Sequence, residues 1–112
     1  MKIDSYSFGK IVIDGKAYHS DVIIYPDRVK ADWYRVKGHE VNPSDIDEII
    51  EAKPDLLIIG TGAYGLVKVS QETKELLHKN DIALIAKPTK EACEEYTRRK
   101  NENVIAGLHL TC

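Results

Sequence analysis

The sequence has little cysteine and no long apolar run. Only two of its 112 residues are cysteine, and Cys93 and Cys112 lack the CxxC spacing of zinc and redox sites. Whether they form a disulfide stays open at this point, because intracellular disulfides occur in hyperthermophiles. No apolar stretch approaches the roughly 20 residues that a membrane-spanning helix needs, and residues 1–7 lack the apolar region of a signal peptide. These absences predict a soluble, cytoplasmic protein without a membrane partner.

There is also no excess of charge of either sign. The formal net charge is −2, so no strong field would recruit nucleic acid. The one basic run, Arg98-Arg99-Lys100, has glutamates beside it and predicts a solvated helix face. We therefore expect no nucleic-acid partner. The charged share of 30% is somewhat high, which favours a thermophilic source as a compositional tendency only.

Residue patterns for metal or nucleophilic chemistry are absent as well. The four histidines show neither HxH nor HExxH spacing, and no Gly-x-Ser-x-Gly elbow occurs. Cys93 lies on the apolar face of a predicted helix with Glu94 beside it, which predicts a buried and inert thiol. We predict no catalytic residues, no cofactor and no bound metal.

The second half of the sequence contains a regular alternation of strands and helices. Apolar strands are predicted at 56–59, 82–86 and 104–110. Between them, helices are predicted at about 71–79 and from the Thr89 cap to about residue 101. This alternation predicts parallel strands joined by right-handed helical crossovers. One domain accounts for residues 1–112, since a chain of this length has room for a single core.

The first half is rich in strand signals. An Asp14-Gly15 pair predicts a two-residue hairpin turn joining the apolar runs 11–13 and 22–25. The apolar residues change from one strand face, at Tyr6 and Phe8, to the other, at Ile11 and Ile13. This change predicts a bulge or bend at Gly9 between them. Alternating apolar and polar residues predict a half-buried strand over 29–34.

Helix-capping residues complete the secondary-structure prediction. Asn42 is expected to cap a helix from about 43 to 52, and Ser70 and Thr89 are expected to cap the two later helices. The predicted fold class is α/β. It is a single domain with a mixed sheet, a strand-helix-strand-helix-strand C-terminal half and an antiparallel, β-rich N-terminal part.

The most distinctive stretch is an apolar run that leads into a glycine-rich loop. Residues 56–59 predict a buried central strand, and Gly60–Gly65 matches the G-x-G-x-x-G pattern of phosphate and dinucleotide cradles. Two features oppose a dinucleotide. Four residues separate the loop from the Ser70 cap, and the next strand ends in Lys87 rather than in an acidic residue. The loop is therefore interpreted either as a structural turn or as a site for a small phosphate-bearing anion.

Two further places favour an anion. Thr89 begins a helix between Lys87 and Lys90, where the helix dipole and the lysine charges act together. Arg35 and His39 lie where a strand ends in a glycine-containing loop, and Arg35 is equally suited to donate to loop carbonyls. The predicted ligand-binding residues are Arg35, His39, Gly60, Thr61, Gly62 and Thr89.

Several segments together are similar to the Mth-domain proteins, a family of small, largely uncharacterised domains. The segments are Trp33–His39, Lys53–Gly62, Pro88–Tyr96 and Ala106–Cys112. The family's relatives include an adipogenesis-associated protein and a mitochondrial complex I assembly factor. The resemblance implies a compact α/β domain and brings no established catalytic activity with it.

The resemblance also implies where the family's recurring elements fall in this sequence. Its Trp-x-Arg and Gly-His elements fall on Trp33, Arg35, Gly38 and His39, and its Gly-Thr-Gly turn falls on Gly60–Gly62. The sequence departs from the family pattern at Thr97, where members often carry asparagine.

These observations lead to two functional hypotheses. The first is a non-enzymatic binding or assembly-type module, with a protein partner or a small anionic ligand near Arg35, His39 and Gly60–Gly62. The alternative is a small enzyme or sensor that binds a nucleotide-like, phosphate-bearing ligand at the Gly60–Gly65 loop.

Overall fold

A five-stranded mixed sheet forms the middle layer of the protein. The computed structural model describes residues 1–112. In chain order the strands are β1 (Ile3–Ser7), β2 (Lys10–Ile13), β3 (Lys16–Tyr18), β4 (Val22–Ile24), β5 (Val29–Lys30), β6 (Glu40–Val41), β7 (Leu56–Thr61), β8 (Lys68–Val69), β9 (Ala83–Lys87) and β10 (Val104–His109). The helices are a 3-10 segment (Pro43–Ile46), α1 (Asp47–Ala52), α2 (Gln71–Lys79) and α3 (Thr89–Arg99). None of the helices has the length and apolar character needed to cross a membrane.

The strand order of the main sheet is β5-β4-β10-β7-β9. β7, β9 and β10 run parallel, and β4 lies antiparallel beside β10. The predicted α/β class and the parallel arrangement of the second half are confirmed. The central strand is β10, however, and not the apolar strand β7, because the chain returns to the other side of β7 after α3.

The β-rich first half divides between two sheets. β1, β2 and β3 form a separate antiparallel sheet, while β4 and β5 extend the main sheet. The Asp14-Gly15 turn is present, with φ of 48° and 78°, as a two-residue hairpin requires. It joins β2 to β3, so the prediction that it leads to 22–25 was wrong. The short strand β3 was overlooked because its residues are mostly exposed and carry no apolar run.

Two local predictions also differ from the structure, and a third is met in one of its alternatives. Gly9, with a φ of 77°, lies in the tight turn between β1 and β2, so the predicted change of direction is a bend and not a bulge. The strand expected over 29–34 ends at Lys30, and Asp32 takes a φ of 58°. Thr89 is the first residue of α3, and Pro88 precedes it as the N-cap. Ser70 does cap α2, since its hydroxyl accepts from the Thr73 amide at 3.2 Å.

Each face of the main sheet carries its own apolar core. On one face Ile58 packs with Tyr96 of α3 and with the three-stranded sheet. On the other face Ile59 packs with Ile49 of α1 and Leu77 of α2. Fully burying a side chain of this size contributes about 1.5–3 kcal/mol. With helices on both faces, the loops after the parallel strands are left at one rim of the sheet.

Candidate functional site

The carboxyl ends of β7 and β10 mark a reversal in strand order. After β7 the chain adds β9 on one side and then β10 on the other, with α2 and α3 packed against opposite faces. Thr61 and His109 are register partners at this point. Ligands of α/β sheets usually bind at such a reversal, which makes the residues around it the candidate site.

The glycine loop is packed tightly against its neighbours. A Cβ on Gly60 would lie 2.9 Å from the Thr89 Oγ1, and one on Gly62 would lie 2.7 Å from the Cys112 carbonyl oxygen. Gly62 also takes a φ of 104°, where an L side chain is strained. These two glycines are therefore required by the fold itself.

The amides of the glycine loop donate within the protein. The Gly62 amide donates to Thr89 Oγ1 at 2.9 Å, the Ala63 amide to the Thr111 carbonyl at 2.7 Å, and the Gly65 amide to the Gly62 carbonyl at 3.2 Å. A phosphate cradle needs free amides that converge on the ligand. The loop can therefore contribute a wall to a binding site, but these three amides are already engaged.

Thr89 is fully buried and ties three segments together. Its Oγ1 accepts from the Gly62 amide and donates to the His109 carbonyl at 2.5 Å. Its amide donates to the Gly62 carbonyl at 3.0 Å. The structure thus places Thr89, Gly60 and Gly62 in a packed junction of β7, α3 and β10.

A recess of about 450 Å³ lies beside the glycine loop and contains three lysines. We call it the lysine recess; its lining residues are Thr61, Tyr64, Gly65, Val67, Lys68, Val69, Lys74, Ala86, Lys87 and Pro88. No acidic side chain lines it. Lys87 lies 3.4 Å from Glu95, whereas Lys68 and Lys74 form no ion pair within the protein. Of the six predicted residues, only Thr61 lines the lysine recess.

On the other side of Thr61, Arg35 lies in a buried cluster with Asp21 and His109. The Arg35 side chain is only 4% exposed. Its Nη2 donates to Asp21 Oδ2 at 2.9 Å, and both Nε and Nη2 donate to the Gly38 carbonyl, at 3.1 and 2.9 Å. The guanidinium also stacks over the Trp33 ring at 4.8 Å. The sequence allows Arg35 a second possible role, as a donor to loop carbonyls, and the structure contains such bonds.

Asp21 and His109 form a carboxylate–imidazole pair. Asp21 Oδ2 lies 2.7 Å from His109 Nδ1, and Asp21 Oδ1 accepts from the Leu110 amide at 2.8 Å. Burial raises the pKa of the Asp21 carboxyl, but hydrogen bonds from His109, Leu110 and Arg35 outweigh it and hold that pKa below its ordinary value. The ionised carboxylate accepts from Nδ1–H, which leaves Nε2 of a neutral His109 as the acceptor. Thr111 Oγ1 lies 3.4 Å from that nitrogen.

His39 covers this cluster from the solvent side. Its ring is exposed and meets the His109 ring edge-on, with centroids 6.0 Å apart. Its carbonyl accepts from the Lys68 amide at 2.9 Å, which links the His39 turn to the edge of the lysine recess. Arg35 and His39 are thus brought together, while neither lines the recess that contains Thr61.

Sequence reasoning missed four residues of this region: Asp21, Lys68, Lys74 and His109. Asp21 and His109 are 88 positions apart, so no motif spacing could join them. Lys68 and Lys74 resemble ordinary surface lysines in the sequence. Their approach to Lys87 depends on the tertiary placement of β8, which carries Lys68, and of α2, which carries Lys74, and no local pattern shows it.

Comparisons with solved structures agree with this fold. A conserved hypothetical protein from Pyrococcus horikoshii OT3, PH1505, is 32% identical, with a TM-score of 0.89 and 100% of each chain covered. The protein MT938 is 24% identical, with a TM-score of 0.81, 99% of this chain covered and 98% of the other. A Mth938-like domain from Bordetella pertussis is 17% identical, with a TM-score of 0.68 and coverage of 97% and 85%. The last two show a shared fold.

The family assignment rests on nearly the whole chain. A family model described as "Protein of unknown function (DUF498/DUF598)" matches residues 3–109. The resemblance to Mth-domain proteins is thereby confirmed, and this small α/β chain belongs to the DUF498/DUF598 family.

Proposed function

We propose that this domain is a non-enzymatic, cytoplasmic binding module that takes a small phosphate-bearing ligand in the lysine recess. The observation that carries the proposal is the charge of the recess: three ammonium groups and no carboxylate among its lining residues. Thr61 supplies a hydroxyl beside them, at the strand end where α/β sheets usually bind ligands. The Gly60–Gly65 loop forms one wall of the recess.

The character of the lysines determines the kind of binding to expect. Lys68 and Lys74 are exposed and have no acidic partner, so each is free to neutralise a phosphate oxygen. Lysine acts on phosphate as a flexible point charge rather than as a planar fork. The interaction is therefore expected to weaken with salt, because exposed charges are screened over about 10 Å at 0.1 M ionic strength.

A thermal-shift screen against nucleotides and phosphorylated metabolites tests the proposal. A ligand present at 100 times its dissociation constant should stabilise the protein by about 2.7 kcal/mol. The same compounds without phosphate should have no effect, and the shift should shrink as salt is raised from about 50 to about 300 mM. Phosphorus NMR of the bound ligand should show no turnover; steady release of phosphate would show an enzyme instead.

Paired lysine variants locate the binding. Replacing Lys68 and Lys74 together by alanine should weaken binding about tenfold or more, because two charges that face the ligand are lost. Lys79→Ala is the matched control, since Lys79 ends the same helix as Lys74 but lines no recess. Equal weakening by the control, or a screen in which no phosphorylated compound shifts the melting temperature, would contradict the proposal.

A second candidate is the assembly-type module, and a pair of exposed aromatic rings favours it. Phe8 is 58% exposed and Tyr64 is 72% exposed, and their ring centroids are 6.2 Å apart. Because Tyr64 also lines the lysine recess, the complementary partner is a protein segment with acidic residues next to an apolar side chain. Affinity purification with the wild type and with Phe8→Ala tests this candidate. A stoichiometric partner that both variants retain equally, or none at all, would count against it.

A further inference from the structure

The guanidinium of Arg35 has two hydrogen-bond donors that no protein atom accepts. Of its five N–H groups, the one on Nε and one on Nη2 point to the Gly38 carbonyl, and the other on Nη2 points to Asp21. Nη1 is buried and has no hydrogen-bond partner. No other buried side-chain nitrogen or oxygen atom of the chain lacks a hydrogen-bond partner.

Such a group is unusual in a folded protein. Buried polar side-chain atoms nearly always find a partner, and one that lacks a partner calls for an explanation, among which are a bound water, a bound ion and a catalytic role. Arginine is also the side chain best matched to carboxylate and phosphate oxygens, because its donors are planar and fixed. The free donors of Arg35 therefore call for an acceptor that is an oxyanion or a neutral oxygen.

The surroundings of Arg35 can accommodate an oxyanion. The Asp21 carboxylate accepts from Arg35, His109 and Leu110 and its charge is paired with that of Arg35, so it does not face a ligand as an unpaired negative charge. Besides Asp21, the cluster presents the Trp33 ring, the His109 imidazole and the exposed ring of His39. The position is also the strand reversal between β7 and β10, where ligands of this architecture bind.

We propose that Nη1 of Arg35 forms a second binding site, for a single small oxyanion, beneath the turn that carries Gly38 and His39. The site does not depend on the lysine recess. The ligand group is a carboxylate or a phosphate, which share the oxygen acceptors that Arg35 requires. The ligand enters by displacement of the turn, whose residues Gly38 and His39 are exposed. The backbone bonds to be released are those from the Glu40 amide to the Lys37 carbonyl at 3.1 Å and from the Lys68 amide to the His39 carbonyl at 2.9 Å, and the bonds from Arg35 to the Gly38 carbonyl move with the turn.

Nitrogen-15 NMR of the arginine side chains tests the site in the full chain. The labelled protein is titrated with sodium acetate and, separately, with inorganic phosphate, at an ionic strength held constant with sodium chloride. The Arg35 signals are assigned by through-bond correlation from the backbone resonances of the wild type, and their loss in Arg35→Lys is a check on that assignment. We expect a saturable shift of the Arg35 Nη1 signals with acetate, with phosphate or with both, while the other arginines respond only in proportion to salt.

The response identifies the ligand class. A saturable shift with acetate alone indicates a carboxylate ligand, and one that includes phosphate indicates a phosphate-bearing ligand. No saturable shift with either anion up to about 100 mM overturns the proposal, because even a weak specific site has a dissociation constant in the millimolar range. The wild-type titration decides this, so the result does not depend on whether Arg35→Lys folds.

The double variant of Lys68 and Lys74 to alanine separates this site from the lysine recess. The Arg35 shift should persist in that variant with its midpoint changed by less than about twofold, since those side chains do not contact Arg35. Loss of the shift there would place the anion in the lysine recess and overturn the Arg35 site. The two proposals can also fail separately. If the Arg35 NMR signals respond but no phosphorylated compound shifts the melting temperature, the Arg35 site is retained and the function proposed for the lysine recess is rejected.

Discussion

Thr89 and Gly62 are joined by two hydrogen bonds in opposite directions. The Gly62 amide donates to the Thr89 hydroxyl at 2.9 Å, and the Thr89 amide donates to the Gly62 carbonyl at 3.0 Å. Because the same hydroxyl donates to the His109 carbonyl, one side chain connects the ends of β7 and β10 to the start of α3. Hydrogen bonds of this one residue therefore tie together the base of the rim where the candidate sites lie.

Replacing Thr89 by valine should destabilise the protein strongly. Valine keeps the shape but leaves the Gly62 amide and the His109 carbonyl without partners, and each such group costs about 1–3 kcal/mol. Urea unfolding measures the change in the free energy of unfolding. Thr97→Val is the control, because Thr97 is an exposed residue whose hydroxyl bonds only to a carbonyl of its own helix at 2.9 Å, and it should cost under about 0.5 kcal/mol. Similar losses of unfolding free energy in both variants would contradict the role assigned to the Thr89 hydroxyl in joining β7, β10 and α3.

Glycine substitutions should separate steric contact from backbone strain. Gly62→Ala places a Cβ 2.7–2.8 Å from two carbonyl oxygens and forces a residue with a side chain to a φ of 104°. Gly15 also has a positive φ, of 78°, but nothing lies within 4 Å of its Cβ position. Strain of this kind costs about 1–3 kcal/mol, so Gly15→Ala should show that loss alone. Gly62→Ala should lose clearly more stability in thermal unfolding; equal losses would show that the contacts relax freely.

The second half of the fold was predictable because its signals are local and strong. Residues of β7 and β10 are buried on both faces, which gives continuous apolar runs that only an interior strand explains. Ser70 caps α2 through its own side chain, within three residues. The first half was harder because β3 is exposed and β5 has only two residues, so neither carries a clear apolar period.

The candidate site was predictable only where its contacts are local. Arg35 bonds to a carbonyl three residues away, and a bond of this kind is one of the two roles that the sequence predicts for Arg35. Its partner Asp21 lies in the connection before β4, and His109 lies at the end of the last strand. Those contacts depend on β4 and β10 pairing antiparallel in one register, which a single sequence does not specify.

Removing Asp21 should be far more harmful than removing an exposed acidic partner. The Asp21–Arg35 pair is 2.9 Å apart, with side chains 16% and 4% exposed. Asp21→Ala leaves a buried guanidinium without its counter-ion, which costs about 3–5 kcal/mol. Asp27→Ala breaks an exposed pair of the same length with Arg28 and should cost under about 1 kcal/mol. Chemical denaturation measures both, and a small effect at Asp21 would show that the ion pair is not needed for folding.

Stability should fall in acid because of Glu95. Hydrogen bonds from Arg99 and then Arg98 lower the pKa of Glu95 from 4.5 to about 2. The folded state therefore binds the proton less readily than the unfolded state. Its contribution to stability is complete above about pH 4.5 and is lost as the pH falls toward about 2.

The Glu95→Gln variant tests this pH dependence. Urea midpoints measured from about pH 7 to about pH 2.5 should decline less steeply in Glu95→Gln than in the wild type, because the variant has no carboxyl to protonate. Glu94→Gln is the control, since Glu94 is exposed and forms no ion pair, and it should keep the wild-type slope. An unchanged slope in Glu95→Gln would show that other carboxylates dominate acid unfolding.

The two thiols should differ sharply in reactivity. Both cysteines are free, with Cys93 buried and Cys112 partly exposed. Burial, and secondly the charge of Glu94, raise the pKa of the Cys93 thiol to about 12, so its reactive thiolate is scarce near neutral pH. A thiol reagent such as DTNB should therefore modify one cysteine quickly in the native protein and the second only on unfolding in urea. In Cys112→Ser the fast phase should disappear. If a fast phase survives in that variant, the reagent reaches Cys93 of α3 in the native state, and Cys93 is not the inert core residue that its surroundings indicate.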